Sequence, residues 1–306
     1  MEKFSRKITS FFIWLLVAGH TGCASAGKAQ PKTIKATEVV DNIRRNKVNS
    51  YAFCTIVGDL DFTQIQPFPT GNNNYNSTIA TALYFESCTF KGKVIAFNSD
   101  NNRNTTSRFS NNLGFYNCLF KDSFDFRGAS FDQSLVLSKS IFDKDVQLQA
   151  CHFQQDLRLD EAFFSQQLLL QESVIRGVFW AKQANIYGQL SLQQADFWQN
   201  VSLAAISAHQ YADFGLANFR RAAFFEYGEY FGKANFNGAV FGQHAEWNKT
   251  IFHQAVDFSN SLFFSRPVFS NLTSKAEIIT TNMKLVDGYA DKNLLPATST
   301  ANQQEP

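Results

Sequence analysis

The chain has 306 residues, with 28 Lys and Arg against 26 Asp and Glu, a formal net charge of +2, and 33 phenylalanines. Leaving out Glu2, Lys3, Arg6 and Lys7 of the N-terminal leader described next removes three basic and one acidic side chain, so 25 of each sign remain and the net charge is zero. Neutrality argues against a nucleic-acid binder, which needs a basic footprint, and equally against a DNA mimic, which needs an acidic one.

Lys3, Arg6 and Lys7 precede an apolar run, residues 8–19 (ITSFFIWLLVAG), that is too short to span a bilayer and has the layout of a secretory signal. The run ends in HTGC, which resembles a bacterial lipobox with Cys23 as the lipidated first residue. His20 stands where Leu is usual, and the ASA at Ala24 to Ala26 offers an ordinary signal-peptidase site. Residues 1–22 are therefore read as a signal peptide and 23–33 as a tether, with simple secretion and an uncleaved anchor as the alternatives. Acylation of Cys23 would hold the protein at a membrane, because several acyl chains anchor stably where one is marginal. The implied location is the bacterial cell envelope, lipid-anchored to the outer membrane, with a soluble periplasmic or secreted form as the alternative.

Residues 34–50 read as a helical cap: Thr37 is placed to cap a short helix whose apolar side carries Val39, Val40 and Ile43. Cys54 to Phe62 (CTIVGDLDF) reads as a first coil, and the pairs Leu83/Phe85 and Cys88/Phe90 as a second. Two Asn-rich segments, 66–78 and 98–112, interrupt these coils, and their composition predicts turns and irregular backbone.

From Phe115 to Phe269 an apolar residue recurs every eleven positions without insertion or deletion, and a second ladder runs from Phe120 to Phe263. Within a repeat the apolar positions fall at offsets 0, 2, 5 and 7. At about 100° per residue these offsets form no helical stripe. On extended backbone each i, i+2 pair points to one side. The repeat is thus two short strands joined by corners, spaced alternately five and six residues apart. Pair volumes are balanced: small before Phe, as in Cys118/Phe120 and Ala129/Phe131, and large before Ala, as in Phe179/Ala181. Two faces per coil would drive facing Phe rings together, whereas four faces, about 22 residues per coil, leave room for stacked rings. The expected fold is all-β: a four-sided parallel β-helix over residues 51–273 with a short N-terminal capping helix. Phe241 is expected to stack between Phe219 and Phe263, while the outward Gly242 is expected to accept Ser at little cost.

The stretch Ala234 to Phe264 (ANFNGAVFGQHAEWNKTIFHQAVDFSNSLFF) resembles the pentapeptide-repeat family, whose unit is a small residue, a variable one, then Leu or Phe. The resemblance implies a right-handed quadrilateral β-helix and very little chemistry, since members are mostly scaffolds and some bind topoisomerases as DNA mimics. The sequence departs from that pattern by a sixth residue in every second unit. Residues 274–306 are read as a C-terminal cap, in which Ser274 to Lys292 breaks the period, followed by a disordered tail.

Cys118 and Cys151 fill small inward slots, 33 residues apart and on opposite walls, so they read as buried free thiols. A bond between Cys54 and Cys88 stays open. The five histidines form no motif at ligand spacing; a surface metal site near His244, Glu246 and His253 is set aside in favour of solvated side chains, and an outward ladder of Asp213, Asn235 and Asp257 is read as a stacking device before a cation or carbohydrate site. No cofactor is expected. The outward residues Leu119, Ile141 and Phe163 recur at 22 and should form an apolar ladder, the candidate partner surface; Leu169, Trp180, Trp198, Phe224 and Phe231 also point outward. The expected function is a non-enzymatic, envelope-tethered scaffold binding a protein partner or itself; a carbohydrate-binding or carbohydrate-cleaving β-helix is the alternative, and a topoisomerase antagonist is a weaker one.

Overall fold

A computed structural model describes residues 31–100 and 102–286. The expected signal segment, Cys23 and the tail beyond 286 lie outside the described residues. Each inward pair forms a short strand, and each strand hydrogen-bonds to its equivalent one coil later: the Ile141 N–H donates to the Cys118 carbonyl at 2.8 Å, and the Phe163 N–H to Ser140 at 2.9 Å. One coil visits Leu113–Tyr116 (face I), Leu119–Phe120 (face II), Phe124–Asp125 (face III) and Ser130–Phe131 (face IV), then regains face I at Leu135–Val136. Four sheets of 9, 11, 10 and 12 strands result, stacked as a β-solenoid of about 12 turns. Among all their pairings only two hairpins are antiparallel.

The unequal steps produce two kinds of corner. In every five-residue step the residue before the small inward one is left-handed, at each eleventh position from Asn117 (φ 53°) to Asn282 (φ 57°). Only Gly128 and Gly238 in this series are glycine, and no β-branched residue occurs in it. The corner closes when the next N–H donates to the carbonyl three residues back, as from Ala129 to Phe126 at 3.0 Å and from Ala162 to Leu159 at 3.1 Å. From Phe120 onward the six-residue steps turn without a left-handed residue, so the extra residue replaces that strain with length; the earlier step from Ile56 to Phe62 carries Gly58 at φ 85°. Polar residues in the small slot are satisfied by the same carbonyls: Ser140 Oγ donates to Phe115 at 3.0 Å, and Cys151 Sγ to Phe126 at 3.0 Å.

Inside, rings stack along the solenoid axis and meet edge to face across it. Phe90, Phe120, Phe142 and Phe164 lie 4.8, 4.5 and 5.0 Å apart with nearly parallel planes. Phe241 sits 5.0 Å from Phe219 and 4.6 Å from Phe263, as the ladder predicts, with Trp247 edge-on at 5.2 Å. Cys118 and Cys151 are buried and unbonded.

The ends differ from expectation. Strand β1 (Lys32–Lys35) pairs with Cys54–Val57 as a first rung and runs directly into helix α1 (Ala36–Arg44). Lys35 therefore occupies the N-cap, without a side-chain bond, and Thr37 lies inside the first turn; the cap expected at Thr37 is corrected because sheet pairing fixes the backbone up to Lys35. Ala36, Val39, Val40 and Ile43 are buried, and Arg44 Nη2 donates to the Gln64 carbonyl at 2.7 Å. An open solenoid end exposes unpaired rungs and a core cross-section, which α1 covers. At the other end the period does not break at 274: Thr273–Ser274, Ile278–Ile279 and Lys284–Leu285 pair 22 residues on from their predecessors. Register continues there although Ser and Lys replace the large apolar residues, because the corner residues Asn271 and Asn282 keep their left-handed geometry.

The Asn-rich segments are not irregular. Phe68–Gly71 pairs antiparallel with Asn74–Ile79, and Phe97–Asp100 with Arg103–Phe109. Asn72 and Asn73 are both left-handed, at φ 49° and 61°, as a type I′ hairpin turn requires. The two hairpins then stack on each other in parallel from Asn74↔Asn104 to Ile79↔Phe109, extending face IV sideways, and Arg103 lies 3.7 Å over the Tyr75 ring.

Gly242 is corrected too. A Cβ there would come within 2.8 Å of the Arg220 carbonyl oxygen one coil below, a backbone atom that cannot swing away. Phe241→Ala is expected to cost about 3–5 kcal/mol by removing a ring packed on both sides, and Gly242→Ser to destabilise measurably as well. Denaturant midpoints of the two variants test this; a neutral Phe241→Ala would contradict the inward assignment.

Candidate interaction face

The outward residues of face II are set by the coil register. Leu119 pairs Ile141, Ile141 pairs Phe163, and Phe163 pairs Asn185, so the three apolar residues proposed from sequence occupy consecutive rungs of one column. Thr89 precedes the column and Ser207 follows Asn185. Ile141 is 43% exposed, and Leu119 and Phe163 are half-buried, so the column faces solvent.

A second column adjoins it, built from the residue that follows each inward residue of face II. Here Tyr187, His209, Phe231 and His253 stack ring on ring at 4.1, 4.7 and 4.6 Å, and Phe163 reaches Tyr187 at 5.3 Å. The two columns therefore join into one apolar and aromatic stripe, running from Leu119 to His253 along a single sheet. His253 ends it in a polar clasp: Lys275 Nζ donates to Nδ1 at 3.0 Å, so Nε2 carries the hydrogen given to Glu229 Oε1 at 2.7 Å. At the opposite end the corner column holds the exposed ion pair Lys121–Asp143, 2.8 Å long, worth little in energy but polar in character.

Sequence reading identified Phe231 as one outward aromatic and missed its column. The signal was present: positions 187, 209, 231 and 253 share the 22-residue spacing, but at the slot after the inward residue instead of the slot before it. The remaining outward residues do not join this stripe. Leu169 lies on face III, and Trp180 and Phe224 lie on face I. Trp198 follows Phe197 at the end of a face IV strand, between Arg176 at 5.3 Å and Arg220 at 4.2 Å, and donates to Asp196 at 2.9 Å. Burial alone would raise the Asp196 carboxyl, but hydrogen bonds from Arg220 and Trp198 outweigh it and hold it below its ordinary value.

Asp213, Asn235 and Asp257 do stand in register on face III. Their oxygens are turned to the corner backbone: Asp213 Oδ1 accepts from the Gly215 N–H at 2.9 Å and from Asn235 Nδ2 at 2.8 Å, and Asp257 Oδ1 from the Ser259 N–H at 2.7 Å. A shallow groove of about 460 Å³ runs beside this ladder, lined in part by Tyr211, Leu216 and Lys233. His244 bonds Glu246 at 3.2 Å near face I, while His253 belongs to face II, so the three residues considered for a metal are not brought together. Among the described residues no group of three or more His, Cys, Asp or Glu could hold a metal ion, and no helix is long and apolar enough to cross a membrane. No protein-family model, curated protein or solved structure matches the chain.

Proposed function

We propose that this protein is a non-enzymatic β-helical scaffold, tethered to the bacterial cell envelope through Cys23, that binds another protein or a second copy of itself through face II. The observation that carries the reading is the continuous stripe from Leu119 to His253, an apolar and aromatic surface, open to solvent at Ile141 and Tyr187, on a regular sheet. Rungs locked into a stack lose little conformational freedom on binding, which favours use of such a face for recognition. The small-x-Phe/Leu units and the 22-residue coil support kinship with pentapeptide-repeat proteins, in a variant whose alternate units carry a sixth residue. A glycan-binding role has less support, because one oxygen of each carboxylate beside the face III groove, Asp213 Oδ1 and Asp257 Oδ1, is already engaged by a backbone N–H. A topoisomerase antagonist of the DNA-mimic kind is opposed by the balanced charge.

Replacing Leu119, Ile141 and Phe163 together by Glu should abolish capture of an envelope partner or self-association, read by cross-linking and sedimentation, while the circular dichroism spectrum and thermal midpoint stay near those of the parent. Unchanged association would remove face II as the binding surface. Mass spectrometry of the mature N-terminus should find an acylated Cys23; a chain beginning at Gly27 would replace the tether by simple secretion.

A further inference from the structure

The first inward slot of face II holds Cys54, Cys88 and Cys118 in three successive coils, then Ser140 and Ala162. The strand pairings Lys32↔Cys54, Thr55↔Thr89 and Thr89↔Leu119 place these sulfurs one above another. What a purely structural thiol does in this kind of slot is visible at Cys151, whose Sγ donates to a corner carbonyl at 3.0 Å. Cys54 and Cys88 behave otherwise. Their sulfurs face each other at 3.2 Å, and the carbonyls of Tyr51 and Glu86 stand farther from Cys88, at 3.4 Å each. Neighbouring parallel strands lie about 4.8 Å apart, inside the range of roughly 4.4–6.8 Å that a disulfide spans between Cα atoms.

We propose that Cys54 and Cys88 form a disulfide when the chain folds in the presence of a disulfide oxidant, and that Cys118 stays a thiol. The inference rests on the cysteine geometry and is independent of the role of face II. Either thiol can open the exchange with the same balance; with Cys54 as the resolving group, the attacking group is Cys88. Its thiolate attacks one sulfur of the oxidant, expelling a thiolate that takes up a proton and leaving a mixed disulfide on Cys88. Cys54 then gives up its proton and attacks the Cys88 sulfur, expelling the second thiolate. Two electrons and two protons pass from the cysteine pair to the oxidant, which leaves as two thiols. Since both residues are buried once folded, 3% and 1% exposed, the exchange takes place before the second coil closes over the first. The bond closes a loop that contains the first hairpin and fastens the α1-capped coil to its neighbour, at the end of the stack where a rung has support on only one side.

The test is refolding of the full chain with oxidised and reduced glutathione, followed by alkylation in denaturant and a non-reducing peptide map. The expected result is a Cys54–Cys88 linked peptide with Cys118 and Cys151 recovered as alkylated thiols, and a thermal midpoint several degrees above that of the reduced protein. Cys118→Ser should keep the link and the shift; Cys54→Ala should lose both. Recovery of Cys54 and Cys88 as free thiols, or a dominant link from either to another cysteine, overturns the proposal. The comparison of oxidised and reduced wild-type protein decides the matter even if a variant fails to fold.

Discussion

From Leu113 onward each rung of this protein is held by the rung 22 residues away. The N–H groups of one coil donate to carbonyls of an adjacent coil, and the ring of one coil lies flat on the ring of the next, so no coil can satisfy its backbone or bury its apolar side alone. This coupling explains why the period tolerates no insertion between Phe115 and Phe269. A slip of one residue would turn each strand over and send its inward pair to solvent. It also explains the pairwise balance of volumes: a coil may exchange Phe with Ala between its two inward positions, as at Phe179 and Ala181, because the cross-section it presents to its neighbours is conserved.

The same coupling shapes the exterior. A side chain outside the coil has equivalents directly above and below it, so whatever chemistry a position acquires is propagated as a column. Asp213, Asn235 and Asp257 become a hydrogen-bonded ladder, and Tyr187, His209, Phe231 and His253 become a ring stack. Columns of this kind are flat and closely spaced, and their geometry is set by the sheet instead of by local loops. On face II the stripe passes from Leu119, Ile141 and Phe163 in one column to Tyr187, His209, Phe231 and His253 in the next, one such residue on each of seven consecutive rungs. The solenoid supplies position and rigidity, and the pattern of outward residues sets what each face presents to solvent.

The interior was legible because period and residue size are properties of the sequence itself. Two strands per eleven residues, four faces per coil and the Phe219–Phe241–Phe263 stack follow from spacing and from the room an aromatic ring needs. What escaped depends on neighbours the period does not describe. Gly242 looks permissive along the chain, but its restriction comes from the Arg220 carbonyl in the coil below. The Asn-rich segments advertise turns, and Asn72 and Asn73 do form one, yet their flanks pair across 30 residues, outside the 22-residue rule. Beyond residue 273 the apolar signal fades while hydrogen-bond register persists, because backbone pairing does not require large side chains once a template rung exists. The Leu119, Ile141 and Phe163 column was found from spacing; the adjoining ring stack was not, since it occupies a different slot of the same repeat.

The central claim, that coil-to-coil register is the organising constraint, is tested most directly by excising one coil. Removing residues 182–203 joins Ala181 to Ala204 and restores every equivalent position, including a left-handed residue at the following corner. Removing residues 182–202 instead displaces all later rungs by one. Thermal unfolding followed by circular dichroism should show the 22-residue excision retaining a cooperative β-sheet transition close to that of the parent, and the 21-residue excision losing it. Equal stability of the two shortened chains, or loss of the transition in both, would contradict the account.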